Sequence, residues 1–336
     1  MTLLERAREK GTPLIEGSRA TLVWQGEIPP LVLSDLHGWE AHPQEMQPHT
    51  PGVWQFTFDL PLQAYMEYAF VDSHSGERLP DRWNMQRRVS NGLGKYNHYF
   101  YMPEASPTPW ARRRRGTPRG TVTRHHIQPG FLAAGRQRAV YLYRPAAEGP
   151  FPLLVVFDGR DYLRRARLPA ILDSLIAARR VRPIALAMVD NGKAARFLEY
   201  ACSEATLLLL KEHVLPLAEA HLPLNGERAV MGASMGGLQA LYTAFRMPDV
   251  FSAAISQSGA FQVWGHDFGL SLLPPAKVRV WMDAGQFEGL LEANRHMYAH
   301  LRTAGVPVTY QEFVAGHNYT AWRNELPDAL MAVFGV

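Results

Sequence analysis

Residues 232–236 read Gly-Ala-Ser-Met-Gly. A run this short occurs often by chance, so its neighbours decide what it means. The apolar stretch "ERAVMGA" ends at Ala233, and an amphipathic stretch, "GGLQALYTAFR", begins two residues after Ser234. The spacing predicts a strand, a tight turn and a helix, with Ser234 at the apex of the turn. Such a turn holds its serine in a strained backbone conformation and projects the hydroxyl at the sheet edge. Glycines at 232, 236 and 237 let neighbouring backbone pass where a Cβ would clash. The Met235 N–H, at the helix N-terminus, is aimed to meet a developing oxyanion. The bland alternative is a small residue in a Gly-rich turn. The context favours a nucleophile.

A serine hydroxyl is a weak nucleophile at neutral pH and needs a base, and the base needs an orienting acid. For a serine on a strand-to-helix turn the expected chain order is serine, acid, histidine. Beyond Ser234 the histidines are His266, His296, His300 and His317. His296 and His300 stand i,i+4 on a helical run, where they read as a solvated face because no third metal ligand accompanies them. His266 lies in the irregular "VWGHDFG". His317 follows the strand "VTYQEFVAG" and precedes the last helix, so it is the expected base. Two carboxylates follow the strand "KVRVWMD": Asp283, which ends it, and Glu288, in the loop after it. Glu288 is preferred because a loop has room to swing a carboxylate toward His317, with Asp283 as the alternative. The second oxyanion donor is expected after "PLLVVF", from the N–H of Gly159 or Arg160; the alternative there is a plain Asp-Gly turn.

These residues need elements to hold them. The chain has 336 residues, 47% of them hydrophobic, enough for one large domain or two smaller ones. Residues 20–103 hold short aromatic and β-branched runs, among them "ATLVWQG", "GVWQFTFDL" and "AYMEYAFVD". Pro, Gly, Asn and Asp separate them, which predicts a small all-β sandwich over residues 1–103. In the last of these runs Tyr65, Glu67, Ala69 and Val71 share one face, and Met66, Tyr68 and Phe70 the other. Residues 104–120 are rich in Pro, Arg and Gly and read as a linker. From 121 to 336 apolar strands alternate with helices, the pattern of an α/β domain: a mostly parallel sheet with helices on both faces.

Composition removes other classes. The one cysteine, Cys202, excludes an intrachain disulfide. The first residues interrupt their apolar positions with charges, so no signal peptide is expected. No apolar run reaches the ~20 residues of a bilayer span. The expectation is a cytoplasmic protein with no membrane or nucleic-acid partner and no resident metal or cofactor. Its oligomeric state is left open. Net charge is +4. Five arginines fall in "WARRRRGTPRG", which reads as a solvated basic segment or a rim attracting anions.

Several stretches together carry a family likeness: "LLVVFDGRDYL", "GASMGGLQALYTAFRMPDVFSAAISQSGAF", "DAGQFEGLLEANRHMYAHL" and "VAGHNYTAWRNEL". They resemble the enterochelin esterase branch of the esterase D-like α/β-hydrolases. "LSDLHGWE", "YMEYAFVD" and "LPDRWNMQRRVSNGLGKYNHYFYMPE" resemble the immunoglobulin-like N-terminal domain of that branch. The resemblance implies an α/β-hydrolase fold with Ser234 as nucleophile, His317 as base and Glu288 as acid. Gly159, Arg160 and Met235 would be the oxyanion donors. The implied activity is hydrolysis of the ester bonds of a cyclic tri-serine catecholate siderophore, releasing iron. A feruloyl, acetyl or generic short-chain esterase is the alternative. An anionic aromatic substrate would be drawn to Arg160 and Arg196 and would stack on Trp322 or Trp39. Arg196 has a bland rival role, an i,i+3 pair with Glu199. Trp322 and Trp39 have theirs as core anchors.

Overall fold

Apolar strands buried on both faces need a cover on each side, and the sequence supplies helices between them. The computed structural model describes residues 1–269 and 277–336. Its chain contacts divide into two compact units. The first comprises Met1–Pro107 together with Gly285–Gly289 and Val314–Ala321, and the second the remainder.

The first unit is built on two antiparallel sheets. One orders its strands Leu14–Glu16, Arg19–Gln25, Val53–Asp59, Gln47–Thr50. The other runs Gln44–Glu45, Leu31–Ser34, Tyr65–Val71, Tyr96–Tyr101, Val89–Ser90. Ala20, Leu22 and Phe58 from the first sheet meet Val32, Met66, Tyr68, Phe70 and Phe100 from the second in one buried cluster. Alternation along Tyr65–Val71 sends Met66, Tyr68 and Phe70 into this cluster. The opposite face is buried too: Tyr65, Glu67 and Ala69 are at most 3% exposed. In the same unit, the Val314 carbonyl accepts the Tyr65 N–H at 2.9 Å. A helix, Leu3–Lys10, precedes the first strand; its Thr2 and Glu5 form a capping box.

The second unit holds an eight-stranded sheet. Its order is Thr121–Ile127, Arg138–Arg144, Ala185–Val189, Phe151–Val156, Leu224–Ala233, Ala253–Gln257, Arg279–Gly285, Val308–Phe313. The first two strands are antiparallel to their neighbours. The four pairings from Ala185–Val189 to Arg279–Gly285 are parallel, with Leu154 facing both Leu186 and Ala229, and Ile255 facing both Met231 and Trp281. Helices Leu168–Ala177, Met235–Arg246, Leu291–Thr303 and Tyr319–Phe334 fall between or after strands. The helical run from Glu204 to His221 widens into a π turn over Leu210–Val214. The arginine-rich segment is tied down in this unit. Arg113 Nε donates to Asp173 at 2.5 Å, and the Gly120 N–H and Tyr143 hydroxyl reach the other Asp173 oxygen at 2.9 and 2.7 Å. Arg112, Arg114, Arg115 and Arg119 stay exposed. Among the described residues no helix is long and apolar enough to cross a membrane.

Candidate active site

Strand Leu224–Ala233 delivers the chain to Ser234, and helix Met235–Arg246 takes it away. Ser234 has φ 58° and ψ −126°, a region that L residues other than glycine adopt at a cost on the order of 1–3 kcal/mol. Its surroundings hold it there. The Ser234 N–H donates to the Gln257 carbonyl at 2.9 Å, and the Ser234 carbonyl accepts the Ala260 N–H at 3.1 Å. Gly232 is forced, because a Cβ there would collide with the Gly236 carbonyl. At Gly237 a Cβ would stand 2.7 Å from Ser256 Oγ. Within residues 229–241 every residue but Ser234 is buried. Met235, as first residue of the helix, has an N–H with no intrahelical acceptor.

The loop after Phe151–Val156 is more than an Asp-Gly turn. Asp158 is left-handed at φ 54° and opens the short helix Gly159–Arg164. A Cβ on Gly159 would overlap the Met188 carbonyl, so only glycine fits. Gly159 and Arg160 are the first two helical residues, so their N–H groups also lack intrahelical acceptors.

Asp158, 1% exposed, organises this corner. Its Oδ1 accepts from Asn191 Nδ2 at 2.6 Å and Arg196 Nε at 2.8 Å, and its Oδ2 from Arg196 Nη2 at 2.6 Å. Arg196 Nη2 also donates to the Ala233 carbonyl at 3.2 Å, one residue before Ser234. Arg196 therefore braces the loop and the serine turn together, and its guanidinium lies over the Tyr200 ring, 5.3 Å from the centroid. The pair expected with Glu199 does not form: Glu199 takes a bidentate bond from Arg138 at 2.7 and 2.8 Å instead. A buried carboxylate takes the guanidinium that can reach it with both prongs. Arg160 is half-exposed and pairs with Asp190 at 3.1 Å.

Gln257, fully buried, joins further parts. It accepts from the Tyr162 hydroxyl at 2.9 Å and donates to both Asp283 Oδ2 and the Trp322 carbonyl at 3.1 Å. Asp283 is thus engaged within the sheet of the second unit, with Trp281 Nε1 at 3.4 Å from the same oxygen. Trp322 is 4% exposed and donates its indole N–H to Ser258 Oγ at 2.8 Å. This burial is what the core-anchor alternative for Trp322 describes.

In the first unit, His317 Nδ1 lies 2.6 Å from Glu288 Oε2. The other oxygen of Glu288 accepts the Gly285 N–H at 3.0 Å, so the carboxylate is held from both ends. Its side chain is 2% exposed against 32% for His317. A carboxylate on Nδ1 fixes the proton there and leaves the lone pair on Nε2. The Phe287 N–H donates to the Ala315 carbonyl at 3.1 Å, tying the two loops together. Trp39, half-buried, donates its indole N–H to Asp35 Oδ1 at 3.1 Å, and Arg78 covers one face of its ring at 5.3 Å.

The sequence reading did not single out Asp158, Asn191, Asp35 or an aromatic group at Phe197, Trp264 and Phe268. The rings of Phe197 and Trp264 lie 4.7 Å apart at 30°, and Trp264 is 79% exposed. Both sides of this pair are rooted beside the serine: Phe197 follows Arg196, and Trp264 follows the Ala260 turn. The signal in the sequence was the "VWG" of an irregular segment, an apolar residue with no strand to bury it.

The model of the esterase family, described as "Putative esterase", matches residues 133–333. Among curated proteins the chain is 29% identical to the iron(III) salmochelin esterase of Escherichia coli O6:H1, over 83% of this chain and 76% of that protein. It is 25% identical to the iron(III) enterobactin esterase of Escherichia coli K12, over 88% of this chain and 83% of that protein. Among solved structures, the ferric enterobactin esterase of Salmonella typhimurium superposes with a TM-score of 0.78 at 23% identity, covering 93% of this chain and 92% of that one.

Proposed function

The chain belongs to the esterase family, and on that premise we propose that it is a serine esterase that opens the trilactone of a ferric catecholate siderophore, with Ser234, His317 and Glu288 as its triad. The observation that carries the reading is the backbone of Ser234, strained at φ 58° on a strand-to-helix turn that three glycines allow. Strain of this kind persists where the surroundings hold it and function uses it. The substrate class rests on the salmochelin and enterobactin esterases that the chain resembles over most of its length.

His317 Nε2 takes the proton of Ser234 as Oγ attacks an ester carbonyl. Charge collects on the carbonyl oxygen, facing the N–H groups of Met235 and of Gly159 or Arg160. Glu288 stabilises the imidazolium through Nδ1–H. The imidazolium then protonates the departing serine alkoxide of the substrate. Water, activated by the same imidazole, resolves the acyl-enzyme. Iron arrives and leaves as part of the substrate. Arg196 serves this cycle by bracing Asp158 and Ala233. Arg160 and the exposed Phe197–Trp264 pair suit an anionic, aromatic acyl group. Such a role places the enzyme in the cytoplasm, where iron is used.

The test is turnover of ferric and iron-free enterobactin beside feruloyl sugar esters, followed chromatographically, for wild type and Ser234→Ala. The expected result is preference for the catecholate trilactone and a loss on the order of 10⁴-fold or more in the variant. Equal weak rates on all esters would contradict the substrate class, and an active Ser234→Ala would contradict the mechanism.

A further inference from the structure

The loop that carries His317 rests, within the first unit, on one buried carboxyl group from the N-terminal sandwich. Asp35 follows the strand Leu31–Ser34 and is 3% exposed. Its Oδ2 accepts the Glu67 N–H at 2.9 Å and the Asn318 side-chain amide at 3.2 Å, and its Oδ1 accepts the Trp39 indole N–H. Gly316 lies against the same group so closely that a Cβ there would overlap Asp35 Cγ. Both chain neighbours of His317 are therefore held by one side chain some 280 positions earlier in the sequence, the Asn318 bond spanning 283. The other end of the Asn318 amide accepts the N–H groups of Thr320 at 3.1 Å and Ala321 at 2.9 Å, which starts the last helix.

We propose that Asp35 is a positioning residue for the reaction: acting through Gly316 and Asn318, it sets the His317 ring against Glu288. The inference rests on the reading of His317 as the base. The physical reason is the length of the lever. The His317–Glu288 contact of 2.6 Å has little tolerance, and the loop bearing His317 is irregular until the last helix begins. A loop of this kind keeps a side chain in place only if its flanking backbone is fixed. Burial, then the nearby Glu67, push the Asp35 carboxyl well above the usual carboxylate range, and Glu288 pushes in the same direction. Glu67 has its own anchors, the Tyr65 hydroxyl at 2.9 Å and the Asn97 amide at 2.7 Å.

The experiment measures kcat and KM on the full chain for wild type, Asp35→Ala, Asp35→Asn and Asn318→Ala, with His317→Ala as control. Asp35→Ala is expected to lower kcat by about tenfold to a hundredfold, the cost of a displaced catalytic group, with KM within about twofold. Asp35→Asn keeps the shape and one acceptor oxygen, which can still face Asn318, and is expected to recover part of that loss. Asn318→Ala cuts the same bond from the other side and is expected to act as Asp35→Ala does, so it supplies the reading if Asp35→Ala does not fold. A folded Asp35→Ala, or failing that an Asn318→Ala, whose kcat stays near wild type overturns the proposal. So does a loss confined to KM, or an Asp35→Asn no better than Asp35→Ala. If His317→Ala itself turns over normally, the reading of the base falls; if it is dead while Asp35→Ala is not, only this inference falls.

Discussion

The two oxygens of Glu288 do different work: one takes the Gly285 N–H, the other faces His317 Nδ1. A glutamine keeps the size but presents either an oxygen or an NH2 to the imidazole, and the NH2 would turn the ring to the wrong tautomer. Glu288→Gln is therefore expected to lower kcat by about 10³–10⁴-fold with the fold intact, measured by steady-state kinetics beside circular dichroism. An effect under tenfold would mean that Glu288 is structural. Glu325, on the last helix, makes a separate prediction about stability. Burial, then Asp328, push its carboxyl up to about 7, and Gln311 bonds it at 2.9 Å. Its folded value exceeds its unfolded one, so its contribution to stability is complete below the usual carboxylate range and is lost as pH rises through about 7. Glu325→Gln should accordingly melt higher than wild type at pH ~8, with the gap shrinking toward pH ~5. A gap that widens on acidification would reverse the sign and refute the assignment.

Elements were legible where the pattern repeats. The alternation of apolar strands and helices after residue 121 follows from periodicity, as does the strand-to-helix turn at Ser234, because both are local. What joins one element to another was not. Arg196 lies three residues from Glu199 in a helical stretch, so a local pair was the natural expectation. Asp158 takes both prongs of Arg196, while Glu199 is already held by Arg138; both partners are distant in sequence and invisible to local spacing. Trp322 drew a stacking role from its place just beyond His317, with a core anchor as the alternative; its indole N–H goes to Ser258, at the end of a strand 64 positions earlier. Trp264 went unnoticed because an exposed aromatic in a loop has no periodicity to announce it. It sits with Phe197 on the second unit, and its ring is 79% exposed. Trp264→Ala is expected to raise KM for catecholate esters by about tenfold, an aromatic contact of ~1.4 kcal/mol, while leaving p-nitrophenyl acetate unaffected. Trp264→Phe should restore most of the difference. Equal loss on both substrates would place Trp264 in the fold rather than in recognition.

For the chain as a whole, the all-β and α/β regions could be told apart from composition and spacing. The membership of Gly285–Gly289 and Val314–Ala321 in the first unit could not, because it depends on surfaces that meet only after folding. The basic excess of the chain, +4, favours an anionic substrate but says nothing of bond cleavage. The claim on which the account turns is that Ser234 is activated for attack by His317. It is tested most directly by reaction with a fluorophosphonate, followed by intact mass and peptide mapping, in wild type and His317→Ala. The account predicts one adduct, on the peptide bearing Ser234, formed at least about 10³-fold more slowly without the imidazole. An adduct on another residue, or labelling of Ser234 at the same rate in His317→Ala, would contradict it.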